Sequence, residues 1–406
     1  MFTAETPEQA YADPWQLPLA QRLERLSRGR RRVAYYYEEP NTSTFRYRCY
    51  NMAQLLDAGD ADEADDADAA DDQAGVPEHS ACWFHRADLE QAAEEIAARA
   101  DRLVVCRSGY ESRLLRLITA FHRRGKQVLF DVDDLVFDTR YAHLVMNTLD
   151  QDIDAAHWWD FWFGYLGRMR ATLDLCDGAI ATTDFLAARL AECTERPVAV
   201  VPNFFNREQR AISERVWHDK QASGFARNGE FTLGYFSGSP SHHHDYGMVE
   251  PAIAALMSRR PELRLLTVGY IAPGPHLAPF KDRLQHAPFQ DWINLQRLVG
   301  SVELNLMPLA PSVFTDCKSP LKYFEAAIVG TLSVASPSHN YAAAIEHGVT
   351  GYLARGHQWE ARIEEVLDSL PHYAERAAQA RQDALARFDG PAHRTALLAA
   401  LGWATA

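Results

Sequence analysis

Between residues 33 and 201 short apolar runs alternate with amphipathic stretches, and the same rhythm starts afresh at residue 231. The first set reads as strands at Val33-Ala34-Tyr35-Tyr36-Tyr37, Ala81-Cys82-Trp83-Phe84, Leu103-Val104-Val105-Cys106, Val128-Leu129-Phe130, Gly178-Ala179-Ile180-Ala181-Thr182-Thr183 and Val198-Ala199-Val200-Val201. Helices are predicted between them at 89–100, 111–124 and 184–193, and an aromatic helical region at 158–173. Asn41-Thr42-Ser43-Thr44 supplies an N-cap for a further helix whose apolar face is Phe45, Cys49, Met52 and Leu56. The second set has strands at 231–236, 263–268, 302–306 and 332–335, a helix near 248–258, and helical pattern from 363 onward. Such alternation is the signature of a parallel sheet with helices on both faces. A chain of 406 residues with 47% hydrophobic content exceeds what one core usually supports, so two such domains are expected.

Composition removes several classes. The first thirty residues hold no long apolar segment, and no later window has the roughly 18 uncharged apolar residues of a membrane span, so a soluble, cytosolic protein is expected. Six cysteines spread without C-x-x-C spacing argue for free thiols rather than a zinc site or disulfide framework. Much of the net charge of -14 lies in the Asp-, Ala- and Glu-rich tract at 57–72, which reads as a solvated, disordered loop. No stripe of basic and aromatic residues suggests a nucleic-acid channel, and that partner class is discarded.

The segment Phe314-Thr315-Asp316-Cys317-Lys318-Ser319-Pro320-Leu321-Lys322-Tyr323-Phe324-Glu325-Ala326-Ala327-Ile328-Val329-Gly330-Thr331 reads as a loop, a helix with one acid in its early turns, and Gly330 at the helix end before a buried strand. It resembles the nucleotide-sugar site of GT-B glycosyltransferases, chiefly family 4, which run Glu, seven residues, then Glu-Ala-Met-Ala-x-Gly-x-Pro. Glu325 matches the second acid, and the first falls on Cys317. Val198-Ala199-Val200-Val201-Pro202-Asn203 resembles the segment that closes the first domain of the same enzymes. The resemblance implies an α/β GT-B fold, two Rossmann-like domains facing across a cleft. On that reading 1–32 is an N-terminal helical extension and 33–206 the acceptor domain, interrupted by the acidic loop at 57–79. A linker at 207–230 leads to the nucleotide-sugar domain at 231–385, and 386–406 is a helix crossing back. It further implies transfer of a sugar from a nucleoside diphosphate sugar to a hydroxyl of a glycan or lipid-linked glycan, with retention, in bacterial surface polysaccharide or glycoconjugate synthesis. A silent glycan- or nucleotide-binding subunit and a sugar-nucleotide epimerase of the same fold are the rival readings.

By this resemblance Glu325 accepts the ribose hydroxyls; an acid placed for the helix macrodipole is the alternative. Lys318 can meet a diphosphate together with helix N-terminal amides. Ser319 adds a hydroxyl or only caps the helix, and Lys322, one turn on from Lys318, lies on the same face or points to water. Ser237, Gly238 and Ser239 form a short strand-to-helix loop whose glycine lets backbone amides approach a phosphate. Family 4 enzymes usually carry an Arg and a Lys soon after this strand. Here Ser241-His242-His243-His244-Asp245 stands instead, which shifts diphosphate neutralisation onto Lys318 or a histidine such as His243. Three adjacent histidines do not easily converge on one metal, and no essential divalent ion or other cofactor is expected.

Asp131-Val132-Asp133-Asp134 sets carboxylates at the end of the Val128 strand, facing the cleft, where Asp131 and Asp133 are catalytic candidates. The pattern also resembles the Asp-x-Asp metal motif of GT-A enzymes, although such a chain would not need the second nucleotide-binding half. Arg46, Tyr47 and Arg48 are acceptor-binding candidates. Two arginines in a helix's first turns oppose the macrodipole, so either a substrate phosphate or acids of the chain must compensate. The aromatic group Trp158, Trp159, Phe161, Trp162, Phe163 and Tyr165 either stacks on sugar rings or builds core. Arg28, Arg30, Arg31 and Arg32 follow a helix at 17–28 with Leu19, Leu23 and Leu26 on one face. That stripe suits peripheral attachment to an anionic membrane, or packing of the helix on its own domain.

Overall fold

The computed structural model describes residues 1–40, 42–57, 76–239 and 243–403. Most of the acidic tract, and Asn41, Pro240, Ser241 and His242, lie outside the described residues. The chain divides into two compact units. One comprises Asp13–Ala142, Trp159–Asn206 and Asp389–Ala406; the other Met1–Ala12, His143–Trp158 and Arg207–Phe388.

The first sheet contains β1 (Arg31–Tyr36), β2 (His79–Phe84), β3 (Arg102–Cys106), β4 (Gln127–Val132), β5 (Gly178–Ala181) and β6 (Val198–Val200), all parallel, in the order β2-β1-β3-β4-β5-β6. Val33, Ala34, Tyr35 and Tyr36 are all within 1% of complete burial, as a central strand covered on both faces requires. The helix Leu19–Leu26 packs Leu23 and Leu26 into this unit, and its buried Arg22 makes a two-pronged ion pair with Asp88. Two of the three leucines in the stripe offered above to a membrane, Leu23 and Leu26, are therefore core, Leu19 is half-buried, and Arg31 pairs with Glu78. No helix among the described residues is long and apolar enough to cross a membrane. The last segment joins the same unit: Arg394 donates to the Leu55 carbonyl, and Arg31 and Arg102 lie over the Trp403 ring.

The second sheet contains β7 (Phe231–Ser237), β8 (Leu263–Gly269), β9 (Leu284–Ala287), β10 (Leu304–Met307), β11 (Leu332–Ala335) and β12 (Tyr352–Leu353), also parallel, in the order β12-β11-β10-β7-β8-β9. The strand order reverses at β7/β10, as it does at β1/β3 in the first sheet. In open α/β sheets the crevice beyond the strand carboxyl ends at such a reversal is where ligands bind.

The stretch expected as a linker is instead largely helix, Arg207–Ala222, with Ile212, Val216 and Trp217 buried. Its Lys220 is also buried and donates to the Val329 and Gly330 carbonyls and the Thr331 hydroxyl. It thereby satisfies carbonyls left without partners at the end of the helix Leu321–Ile328. Gly330 follows that helix at φ +67°, and a Cβ there would also strike the Trp217 ring at 2.5 Å. All six cysteines are buried, and none forms a disulfide.

Candidate active site

At the β7/β10 reversal the sequence supplies three short turns. Ser237 ends β7, and its hydroxyl donates to the Ser239 carbonyl at 2.6 Å, which folds the Ser-Gly-Ser loop on itself. Open space surrounds the Gly238 Cα, whereas at Gly269, the end of β8, φ is +96° and a Cβ would meet the Ser237 carbonyl oxygen at 1.9 Å. Any side chain at Gly269 must therefore displace the loop. The short helix His243–Gly247 follows, with His243 and His244 exposed and Asp245 buried. Asp245 accepts the Ala310 N–H at 2.8 Å and so ties the chain after β7 to the chain after β10.

Beyond β10, Ser312 and Thr315 cap the helix Val313–Asp316 reciprocally. Cys317 closes it and is wholly buried, so the place of the resembled motif's first acid offers no carboxylate. Asp316 beside it accepts the His339 N–H, and Asn340 donates to the Lys318 carbonyl, fixing the turn that carries Lys318 and Ser319. The Lys318 ammonium lies 4.5 Å from the Phe314 ring centroid.

Lys322 stands in the first turn of the helix Leu321–Ile328, where the macrodipole disfavours a cation. Its ammonium lies 5.2 Å from the Tyr235 ring centroid, and it forms no ion pair among the described residues. Burial brings its pKa down to about 8, with neighbouring Lys318 pushing the same way and Asp245 and Glu325 pulling back. Glu325 is half-buried and accepts from Gln209 Nε2 at 3.4 Å. Lys318, Lys322, Glu325, Asp245 and the Ser237–Ser239 loop thus share one end of one sheet. Asp245, Tyr235 and Gln209 were missed by sequence reasoning.

At the first sheet's strand ends the candidates have other tasks. Arg46, Tyr47 and Arg48 lie in a π-helical turn, Arg46–Tyr50, all five of whose residues are buried. Arg48 is 0% exposed. It grips both Asp131 carboxylate oxygens at 2.7 Å and donates to the Val201 carbonyl and Asn203 Oδ1. The anion that compensates Arg48 is thus Asp131, and this pair is interior structure rather than a substrate contact. Arg46 lies over the Tyr47 ring at 4.3 Å.

Asp133 takes a hydrogen bond from Thr44 at 2.6 Å and an ion pair from Arg107 at 3.1 Å. Burial opposes its charge, but Arg107, Thr44 and Arg48 outweigh it and hold the carboxyl below its usual range. Arg107, directly after β3, adopts φ +35°, a strained setting for an arginine. Across the β1/β3 reversal Glu38 accepts the Gly109 N–H and pairs with Arg86, which also pairs with Glu111. Among the described residues no three His, Cys, Asp or Glu side chains gather as metal ligands would.

No protein-family model and no curated protein matches this sequence. Solved structures do match it in fold. Anabaena HepE, in complex with UDP and glucose, aligns with a TM-score of 0.58 at 15% identity, covering 91% of this chain and 99% of that one. Sucrose-phosphate synthase from Thermosynechococcus elongatus aligns at 0.54 and 13% identity over 90% and 96% of the two chains. WaaG, a glycosyltransferase involved in lipopolysaccharide biosynthesis, aligns at 0.54 and 14% identity over 91% and 100%. With its two parallel six-stranded sheets and flanking helices, the chain has the GT-B fold.

Proposed function

We propose that this protein is a GT-B glycosyltransferase that moves a sugar from a nucleoside diphosphate sugar to a hydroxyl of a glycan or lipid-linked glycan, resembling family 4. The observation that carries the reading is Lys322, a half-buried cation at a helix N-terminus with no ion-pair partner among the described residues, beside Lys318. A cation set against a macrodipole is costly unless an anion joins it, and a diphosphate is such an anion. Lys318, Lys322 and the Ser237–Ser239 amides hold the diphosphate and stabilise it as it leaves; Glu325 anchors the ribose. HepE's complexes with UDP and with UDP-glucose lend support through the shared fold.

The reaction needs positioning more than covalent chemistry from the protein. With retention, the departing phosphate takes the acceptor's proton on the same face. The lysines supply the neutralising charge that a divalent ion supplies elsewhere, so EDTA should leave turnover intact. A second reading, a nucleotide-binding subunit without turnover, is favoured by the buried Cys317 in the place of an acid. Incubation with a panel of nucleotide sugars, with mass detection of released nucleoside diphosphate, separates the two. Release from at least one donor supports transfer; binding without release supports the silent subunit.

A further inference from the structure

On the helix Ala156–Asp174 three aromatic rings of the first-sheet unit form a braced platform. Phe161 and Tyr165, one turn apart, hold their rings 14° from parallel with centroids 6.4 Å apart. Trp162 meets both edge-on, at 5.1 Å and 5.4 Å, so the two faces are fixed in place. Phe161 is nonetheless 53% exposed. Core packing, the alternative reading of these aromatics, begins only further along the helix, at Leu166, Met169 and Leu173.

Two more observations say what the platform is for. Gly164, exposed in the helix interior three residues after Phe161, disfavours helix, yet a Cβ there would meet nothing within 4 Å. Packing does not require this glycine, and the space beside the rings is open. The platform also adjoins the polar corner at the β1/β3 reversal. The Tyr110 N–H donates to the Arg168 carbonyl of the same helix at 2.9 Å, and the Tyr165 phenol is an electrostatic neighbour of Arg107 and Tyr37.

We infer that Phe161 and Tyr165 stack against sugar rings of a saccharide acceptor, whose hydroxyls reach the polar corner formed by Arg107 and Tyr110; this rests on the transferase reading above. A sugar ring has an apolar C–H face and a hydroxyl rim, which matches flat rings beside hydrogen-bonding groups. A membrane surface is a poorer match. It calls for a continuous apolar face rimmed by basic residues, whereas exposed Asp160 stands next to Phe161.

The test uses the full chain on a printed array of neutral, amino-sugar and uronic-acid oligosaccharides, with UDP calorimetry on the same preparations. The wild type should retain at least one saccharide. Phe161→Ser should lower that retention at least tenfold, and Phe161→Tyr should keep it within about threefold. Gly164→Leu, which favours the helix, should also lose retention because it fills the open space. UDP affinity should not change in any variant. The inference is overturned if the wild type retains no saccharide, or if Phe161→Ser and Gly164→Leu retain it fully. It is equally overturned if Phe161→Ser instead abolishes binding to phosphatidylethanolamine–phosphatidylglycerol vesicles. A wild type that retains saccharide but does not bind UDP would sink the donor reading and leave the platform standing.

Discussion

The two strand-order reversals in this molecule treat charge in opposite ways. At the ends of the first sheet three arginines meet carboxylates: Arg48 with Asp131, Arg107 with Asp133, Arg86 with Glu38 and Glu111. At the second, Lys322 stands against a helix N-terminus without an ion-pair partner among the described residues. Charges balanced within the fold hold loops in place. A cation without such a partner is open to an external anion. On the proposed reading, the difference assigns phosphate binding to the second sheet and leaves the first to position what receives the sugar.

The largest effect that would break this comparison concerns the buried pair. Asp131→Ala leaves the Arg48 guanidinium charged and enclosed, and should destabilise the first-sheet unit by about 3–5 kcal/mol. Replacing both residues, Arg48→Met with Asp131→Leu, should recover most of that loss. Denaturant unfolding followed by tryptophan fluorescence measures both. Equal losses in the single and double variants would mean that the pair is not a self-contained structural unit.

Gly269→Ala comes next. It forces a methyl group against the Ser237 carbonyl and should weaken UDP binding at least tenfold, read by calorimetry. Glu325→Gln keeps the volume but loses the charged acceptor for ribose hydroxyls, which is worth about 1.5 kcal/mol and about tenfold in affinity. Uridine should lose as much as UDP, because the diphosphate is not involved.

The smallest effect is a pH dependence. With its folded pKa at about 8, below the ordinary 10.5, Lys322 is half-neutral where a free lysine is fully charged. Without ligand the folded state resists this proton, so stability of the second-sheet unit should rise as pH climbs from about 8 towards 10.5. A diphosphate favours the charged form, so UDP affinity should fall over the same rise, with proton uptake on binding near pH 8. Lys322→Met should flatten both profiles. A wild-type affinity that is constant from pH 7 to 9.5 would contradict the assignment.

The comparison also explains what the sequence could convey. All six strands of the first sheet were legible because each is an apolar run between helical stretches, such as Leu103-Val104-Val105-Cys106. The second sheet's edge strands were not. Leu284–Ala287 reads Leu-Gln-His-Ala, and Tyr352–Leu353 has two residues, too polar or too short to carry a strand pattern. Arg207–Ala222 reads as linker in sequence because its polar residues outnumber its apolar ones. Several of those polar residues, Gln209, Ser213 and Lys220, are buried. The lysines and Glu325 could be grouped from sequence because they are contiguous there. Asp245 and Gln209 could not, since only the fold brings them to that end of the sheet. Arg48 misled for a related reason: a local view of an arginine at a helix start cannot reveal a carboxylate 83 residues away.

The account stands most directly on a UDP titration of the Lys318→Met/Lys322→Met double variant against wild type at pH 7, with uridine as the control ligand. The predicted result is a loss of UDP affinity of about 2–4 kcal/mol, thirtyfold or more, with uridine binding unchanged and the fold intact by circular dichroism. UDP bound equally well by both proteins, or uridine weakened as much as UDP, would contradict the claim that these lysines seat the diphosphate.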